Sequence, residues 1–320
     1  EWGWRDDDVL LHALPIFHVH GLFVALHCAL LSATPMIFMG RFDAAAVAAA
    51  LPRATVMMGV PTFYTRLLER PEVDVERCRP VRLFISGSAP LTEQTFADWE
   101  ARTGHRILER YGMSETLMIT SNPLRGERLP GSVGFPLPGV DVRIVADDGT
   151  TIEPGEVGTI EVRGPNVFSG YWRMPEKTAE EFRADGFFVT GDLGTSDGQG
   201  RVSIVGRSKD LVISGGYNIY PKEIERLLDE LPGVAESAVI GVPHADFGEA
   251  VVAVLVGASA QAECPDEARV RQALDGRLAR FKLPKAVVQV AALPRNAMGK
   301  VQKTALREQF GHLFTANRGS

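Results

Sequence analysis

At 320 residues, 45% of them apolar and 23% charged, the chain has room for two domains and the balance of a soluble globular protein. A formal net charge of −6, with Lys and Arg dispersed along the chain, argues against a nucleic-acid partner. Cys28, Cys78 and Cys264 are too widely separated for a metal motif or a disulfide framework, so a reducing compartment is expected, the cytoplasm first. The apolar run Leu22 to Met39 is broken by His27, Ser32 and Pro35, which predicts buried helix then strand and no transmembrane segment.

The predicted elements alternate through the first third. Strands are expected at Val9 to Ala13, Thr34 to Met39, Val56 to Met58, Val81 to Ile85 and Ile107 to Arg110. Helices are expected at Gly21 to Leu31, Ala44 to Leu51, from Thr62 to Leu68, and after Thr92, whose hydroxyl suits an N-cap. That order predicts an α/β sheet with crossovers and ligand loops at its strand ends. After Asn122 glycine and proline become dense around short alternating runs, Val140 to Val145 and Val157 to Val162, with Asp148-Gly149 and Asp197-Gly198 as turn candidates; this predicts an antiparallel, barrel-like part. From Arg207 a compact α+β domain is expected: a helix opened by Pro221 with Ile224, Leu227, Leu228 and Leu231 on one face, strands at Val239 to Val242, Val251 to Val256 and Val287 to Val290, and a helix from Asp266 to Leu278. Thr315 to Ser320 reads as a frayed tail. The domain expectation is 1–206 for a large domain, α/β over 1–121 and barrel-like over 122–206, then 207–320 for a small one.

Several short segments carry the residue types of nucleotide chemistry. In Tyr111-Gly112-Met113-Ser114-Glu115-Thr116 the ring can stack on a base, Ser114 and Thr116 can donate to phosphate, and Glu115 offers hard oxygens to magnesium. Ser86-Gly87-Ser88-Ala89-Pro90 follows a strand; its small residues let a planar ring approach the backbone, though an ordinary strand-to-helix turn looks the same. Asp192, in Thr190-Gly191-Asp192, can accept from two ribose hydroxyls or cap a turn. Arg207 and Lys209, in Gly206-Arg207-Ser208-Lys209-Asp210, sit between two regimes of composition, as a pivot or a solvated turn would. Lys300, in Pro294-Arg295-Asn296-Ala297-Met298-Gly299-Lys300, can neutralise charge in phosphoryl chemistry or simply be solvated. His18 and His20 have no acidic ligand beside them; a loop beside a cleft suits them better than zinc.

Taken in order, these segments, with Leu14-Pro15-Ile16-Phe17-His18-Val19-His20-Gly21 and Gly206 to Gly216, resemble the adenylate-forming superfamily of acyl-CoA synthetases, luciferases and peptide-synthetase adenylation domains. The resemblance covers nearly the whole chain. It implies the large adenylate-forming domain followed by a small mobile C-terminal domain, and ATP, Mg2+ and coenzyme A as co-substrates and cofactor. By the same resemblance Tyr111 stacks on adenine, with Gly87, Ser88, Ala89 and Pro90 lining that pocket and Gly112 in the same motif. Ser114 and Thr116 meet phosphate and Glu115 the metal; Asp192 and Arg207 hold ribose. Lys209 is the pivot, Gly216 borders the pantetheine tunnel, and Lys300 contacts carboxylate and α-phosphate. The implied reaction joins a carboxylate to ATP as an acyl-adenylate and then to the thiol of coenzyme A.

Within the superfamily His18 to Gly21, Arg110 to Met118 and Arg207 to Gly216 are most similar to malonyl-CoA synthetases. The implied substrate is malonate, with methylmalonate or another short or medium-chain acid as alternatives; His20 then shapes the acyl pocket. A distal carboxylate calls for an arginine. By the resemblance Arg66 is the first candidate, and Arg128 is the second, with Leu129 standing where related enzymes tend to carry an arginine. The phosphate loop of the superfamily would precede His18, so the chain is expected to be the C-terminal part of a longer enzyme, inactive in adenylation without its upstream half. A nucleotide-binding remnant without catalysis is the non-enzyme alternative.

Overall fold

The computed structural model describes residues 1–258, 264–296 and 299–314, so the tail expected from Thr315 and the pair Ala297 and Met298 lie outside the described residues. The chain divides into two compact units, Glu1–Ile204 and Val205–Ser320. No described helix is long and apolar enough to cross a membrane.

The first unit begins with β1 (Leu10–His12) and a π-helical segment, His20–Leu26, running into α1 (His27–Leu31). Then come β2 (Met36–Phe38), α2 (Ala44–Ala50), β3 (Val56–Gly59), α3 (Pro61–Leu68), α4 (Val75–Cys78), β4 (Leu83–Ser86), α5 (Glu93–Thr103), β5 (Leu108–Tyr111), β6 (Thr120–Ser121) and β7 (Phe135–Pro136). One sheet orders these strands β2-β1-β3-β4-β5-β6-β7. The first five are parallel, in a register that sets Gly59 beside Ser86 and Ser86 beside Glu109. Both faces of a parallel sheet must be covered, so its strands are largely apolar; Val56, Met57 and Met58 are all buried. Helix α5 starts where Thr92 accepts from the Thr95 amide and stops at Gly104 in the left-handed conformation (φ +73°), a cap worth about 1 kcal/mol at its start. Tyr64, Phe84 and Trp99 meet edge to face beneath the sheet.

The barrel-like part is a four-stranded antiparallel sheet: β8 (Asp141–Val145), β9 (Gly158–Arg163), β10 (Phe188–Ser196) and β11 (Val202–Arg207), in the order β11-β10-β9-β8. Helix α6 (Pro175–Glu181) lies between β9 and β10 in the sequence. Gly149 turns between β8 and β9 at φ +83° as expected of Asp148-Gly149, whereas the second turn runs from Asp197 to Arg201 with Gly200, not Gly198, left-handed. Strand β10 pairs Val189 with Glu161 but Leu193 with Thr159. Three residues, Thr190, Gly191 and Asp192, therefore stand opposite Ile160 alone, an enlarged bulge. The boundary between the two units falls inside β11.

The second unit holds β12 (Val212–Ser214), β13 (Tyr217–Ile219), α7 (Pro221–Asp229), β14 (Val234–His244), β15 (Gly248–Gly257), α8 (Glu267–Leu274), β16 (Ala286–Val290) and α9 (Lys303–Phe310). Its centre is the long antiparallel β14–β15 pair, with β16 parallel to β15. Pro221 opens α7 as expected, and Ile224, Leu227 and Leu228 form its buried face.

Candidate active site

The chemistry-bearing loops of the first unit leave the carboxyl ends of its parallel strands, the edge where such sheets bind ligands. The loop after β1 carries His18 and His20, the loop after β4 carries Gly87 and Ser88, and β5 ends in Arg110 and Tyr111.

His20 opens the π-helical segment, fully buried, and its backbone N–H donates to His18 Nδ1 at 3.1 Å. Its Nδ1 lies 3.2 Å from Ser88 Oγ. Burial, then the charge of Arg110, holds its pKa well below the ordinary histidine value, so the ring is neutral at pH 7. Ser88 adopts φ +70°, a conformation non-glycine residues seldom take, and such strain collects at functional sites.

Arg110 is 4% exposed, and its Nε and Nη2 have no hydrogen-bond partner among the described residues. Those two nitrogens form one edge of the guanidinium fork. Arg82 grips Asp8 through the same edge, and Arg163 grips Asp141 through it too. An unpaired buried guanidinium costs several kcal/mol, so the arrangement suits an anion that arrives with a ligand.

Tyr111 donates its hydroxyl to Asp192 Oδ2 at 2.5 Å, joining two motifs 81 residues apart. The β10 bulge aims Asp192. Thr190 Oγ1 accepts from the Asp192 amide at 3.1 Å and donates to the Ile160 carbonyl at 2.8 Å, replacing the ladder bonds lost at the bulge. Beyond Tyr111, Gly112 is required by space: a Cβ there would lie 1.8 Å from the Leu117 carbonyl oxygen. Glu115 is half-buried and accepts from the Tyr171 hydroxyl at 3.2 Å; burial first, then the charge of Glu115, pushes that phenol up to about 12. Ser114 is exposed; Thr116 is buried, and its hydroxyl lacks a partner among the described residues. Ala89 is half-buried and Pro90 exposed.

The two arginines expected for the distal carboxylate, Arg66 by the resemblance and Arg128 after it, sit differently from Arg110. Arg66 is exposed on α3. Arg128 donates to the carbonyls of Pro123 (3.1 Å), Arg106 (2.7 Å) and Leu124 (2.9 Å), so its guanidinium ties a loop together. Sequence reasoning quoted Arg110 within its motif but assigned it no role. Its signal was position: the last charged residue of a buried strand, next to Tyr111.

In the second unit Arg207 ends β11 and precedes a 3₁₀ turn, Ser208–Asp210, that carries Lys209; Asp210 pairs with Arg307 at 2.9 Å. Gly216 turns the β12–β13 hairpin at φ +82°. The Lys300 backbone N–H donates to Asn296 Oδ1 at 3.0 Å, and Gly299 takes φ +76°.

The family model described as AMP-binding enzyme matches residues 1–172, and the model described as AMP-binding enzyme C-terminal domain matches residues 223–300. The chain belongs to the AMP-binding enzyme family. The structure of ATP-bound MatB from Rhodopseudomonas palustris superposes with a TM-score of 0.95 at 58% identity, over 98% of this chain and 62% of that one. A malonate–CoA ligase of Arabidopsis thaliana is 40% identical over 96% of this chain and 55% of its own length. A probable CoA ligase, CCL8, of Humulus lupulus is 41% identical over 96% of this chain and 56% of its own. This AMP-binding enzyme chain thus spans little more than half the length of the curated relatives it matches.

Proposed function

We propose that the enzyme carrying this chain activates malonate as an acyl-adenylate and transfers the malonyl group to coenzyme A. The observation that carries the reading is Arg110. A monocarboxylate tail needs no cation, whereas the free carboxylate of malonate matches the unpartnered Nε–Nη2 edge. Neutral His20, held by Ser88, borders the same charge as a hydrogen-bonding wall. The malonate and CoA ligases among the relatives support the choice of acid and acceptor.

In the first half-reaction a carboxylate oxygen attacks the α-phosphorus of ATP and pyrophosphate leaves. In the second the thiol attacks the acyl carbonyl, AMP leaves and the thiol proton is released. Tyr111 and Asp192 fit adenosine, the ring on the base and the carboxylate on ribose; Arg207 is the second residue proposed for the ribose. Lys300 offsets charge developing at the α-phosphate, Lys209 is the pivot, and Gly216 lies along the thiol route. Magnesium bound to phosphates needs only one or two protein carboxylates, and Glu115, oriented by Tyr171, fits that demand; when bound, the ion would neutralise phosphate charge. Glu115 is the residue proposed to hold it. The phosphate-cradling segment is assigned to an upstream part of the same enzyme. Three free cysteines, Cys28, Cys78 and Cys264, suit a reducing compartment, with the cytoplasm as the proposed location.

A panel of carboxylic acids assayed by CoA-dependent AMP release tests the reading. Malonate should lead the panel, and Arg110→Ala should lower its kcat/KM by on the order of 100-fold, as loss of a charged pair does. Unchanged malonate turnover in that variant would remove Arg110 from the acyl pocket.

A further inference from the structure

Arg110 is held in an unusual way for a buried cation: no carboxylate among the described residues pairs with it, and a glycine lies against it. A Cβ built on Gly87 would stand 2.6 Å from Arg110 Cζ, 2.7 Å from Nε and 2.7 Å from Nη1. Near-equal distances to three atoms of one plane put that Cβ position over the face of the guanidinium, not at its edge. The β4–β5 register explains the approach: Ser86 pairs with Glu109, so the next residues, Gly87 and Arg110, leave the two strand ends side by side. Face contact with backbone leaves the edge donors, Nε and Nη2, for a ligand.

We infer that Gly87 is a specificity-determining residue: by lacking a side chain it seats the Arg110 guanidinium where it reads the second carboxylate of the acid. The inference deepens the malonate reading and rests on it. A carboxylate partner from the protein would hold the arginine more tightly but would consume the edge the substrate needs. A larger residue at 87 would occupy the seat itself. Because the atoms met by such a Cβ are the far end of a flexible side chain, the collision is relieved by displacing the guanidinium and not the sheet. Gly87 therefore acts through Arg110 and is a positioning residue.

The test compares kcat/KM for malonate and for propionate in the enzyme carrying this chain, with Gly87→Ala, Arg110→Ala and both together. Gly87→Ala should lower the malonate-to-propionate ratio at least tenfold, and the double variant should show no further loss beyond Arg110→Ala. An equal fall for both acids, or an unchanged ratio, overturns the role of Gly87. If Arg110→Ala abolishes malonate preference while Gly87→Ala keeps it, the malonate reading stands and this inference fails. If Arg110→Ala leaves the preference intact, the malonate reading fails first. Should Gly87→Ala not fold, the double variant must fold, since removing the guanidinium opens the space; failure of both to fold overturns the inference.

Discussion

The hydroxyl of Tyr111 and the carboxylate of Asp192 share one hydrogen bond of 2.5 Å, although one residue ends a parallel strand and the other sits in an antiparallel bulge. The bond fixes the ring of Tyr111 edge-on to an acid that is itself aimed by Thr190. Tyr111→Phe should keep the ring and lose the tether, raising KM for ATP by roughly tenfold, the worth of a charge-assisted hydrogen bond, with a smaller change in KM for the acid. Equal effects on both substrates would argue that the bond serves the fold and not the nucleotide.

Glu115→Gln should raise the magnesium concentration needed for half-maximal pyrophosphate release and cut the saturated rate on the order of 10- to 100-fold. The amide keeps an acceptor for Tyr171, so the loop should stay in place. A magnesium dependence identical to that of the parent would sink the assignment.

Gly112→Ala tests the turn that carries the motif. Its Cβ would meet the Leu117 carbonyl at 1.8 Å, and both are backbone-bound, so the loop must move. Destabilisation of roughly 2–3 kcal/mol is expected from urea unfolding. A variant as stable as the parent would show that the loop can open at little cost.

His12 and His20 are both buried, and desolvation holds the pKa of each below the ordinary value. In the unfolded chain they bind protons below about pH 6.5, while in the folded chain proton binding is shifted to lower pH. The unfolded state then carries the extra protons, so stability is retained above that pH and falls as the solution is acidified through it. Urea midpoints at pH 7.5 and 5.5 measure this, and His12→Phe, which keeps a ring to stack on Phe38, should flatten the curve. A midpoint that rises on acidification would contradict it.

Much of the scaffold was legible because its signals are local. Thr92 as a cap, Pro221 as a helix opener and the alternation of apolar strands with helices need only neighbouring residues. What escaped depends on pairing across the chain. Strand β14 runs from Val234 to His244, far beyond the apolar core Val239 to Val242, because β15 lends it hydrogen bonds along its whole length. Helix α9 buries Leu306 but otherwise reads as polar sequence, so periodicity did not announce it. At the site, the hexapeptide located the loop after β5, but the arginine to watch could not be chosen by residue type. Arg66, Arg128 and Arg110 look alike in a sequence. The β4–β5 register sets Arg110 beside Gly87, where its Nε and Nη2 have no partner among the described residues, while Arg128 spends its donors on loop carbonyls.

The bulge in β10 has a further consequence. Between Val189 and Leu193 the strand takes four steps where its partner takes two, from Glu161 to Thr159. The excess is an even number, so the inside-outside parity of the strand is the same before and after the bulge. Excising two residues, Gly191 and Asp192, would close the ladder without turning Leu193 to the wrong side. Asp192, the acid proposed for the ribose, is thus an insert that the sheet could lose and still be a sheet, which makes this corner of the molecule free to change its chemistry without renegotiating its architecture.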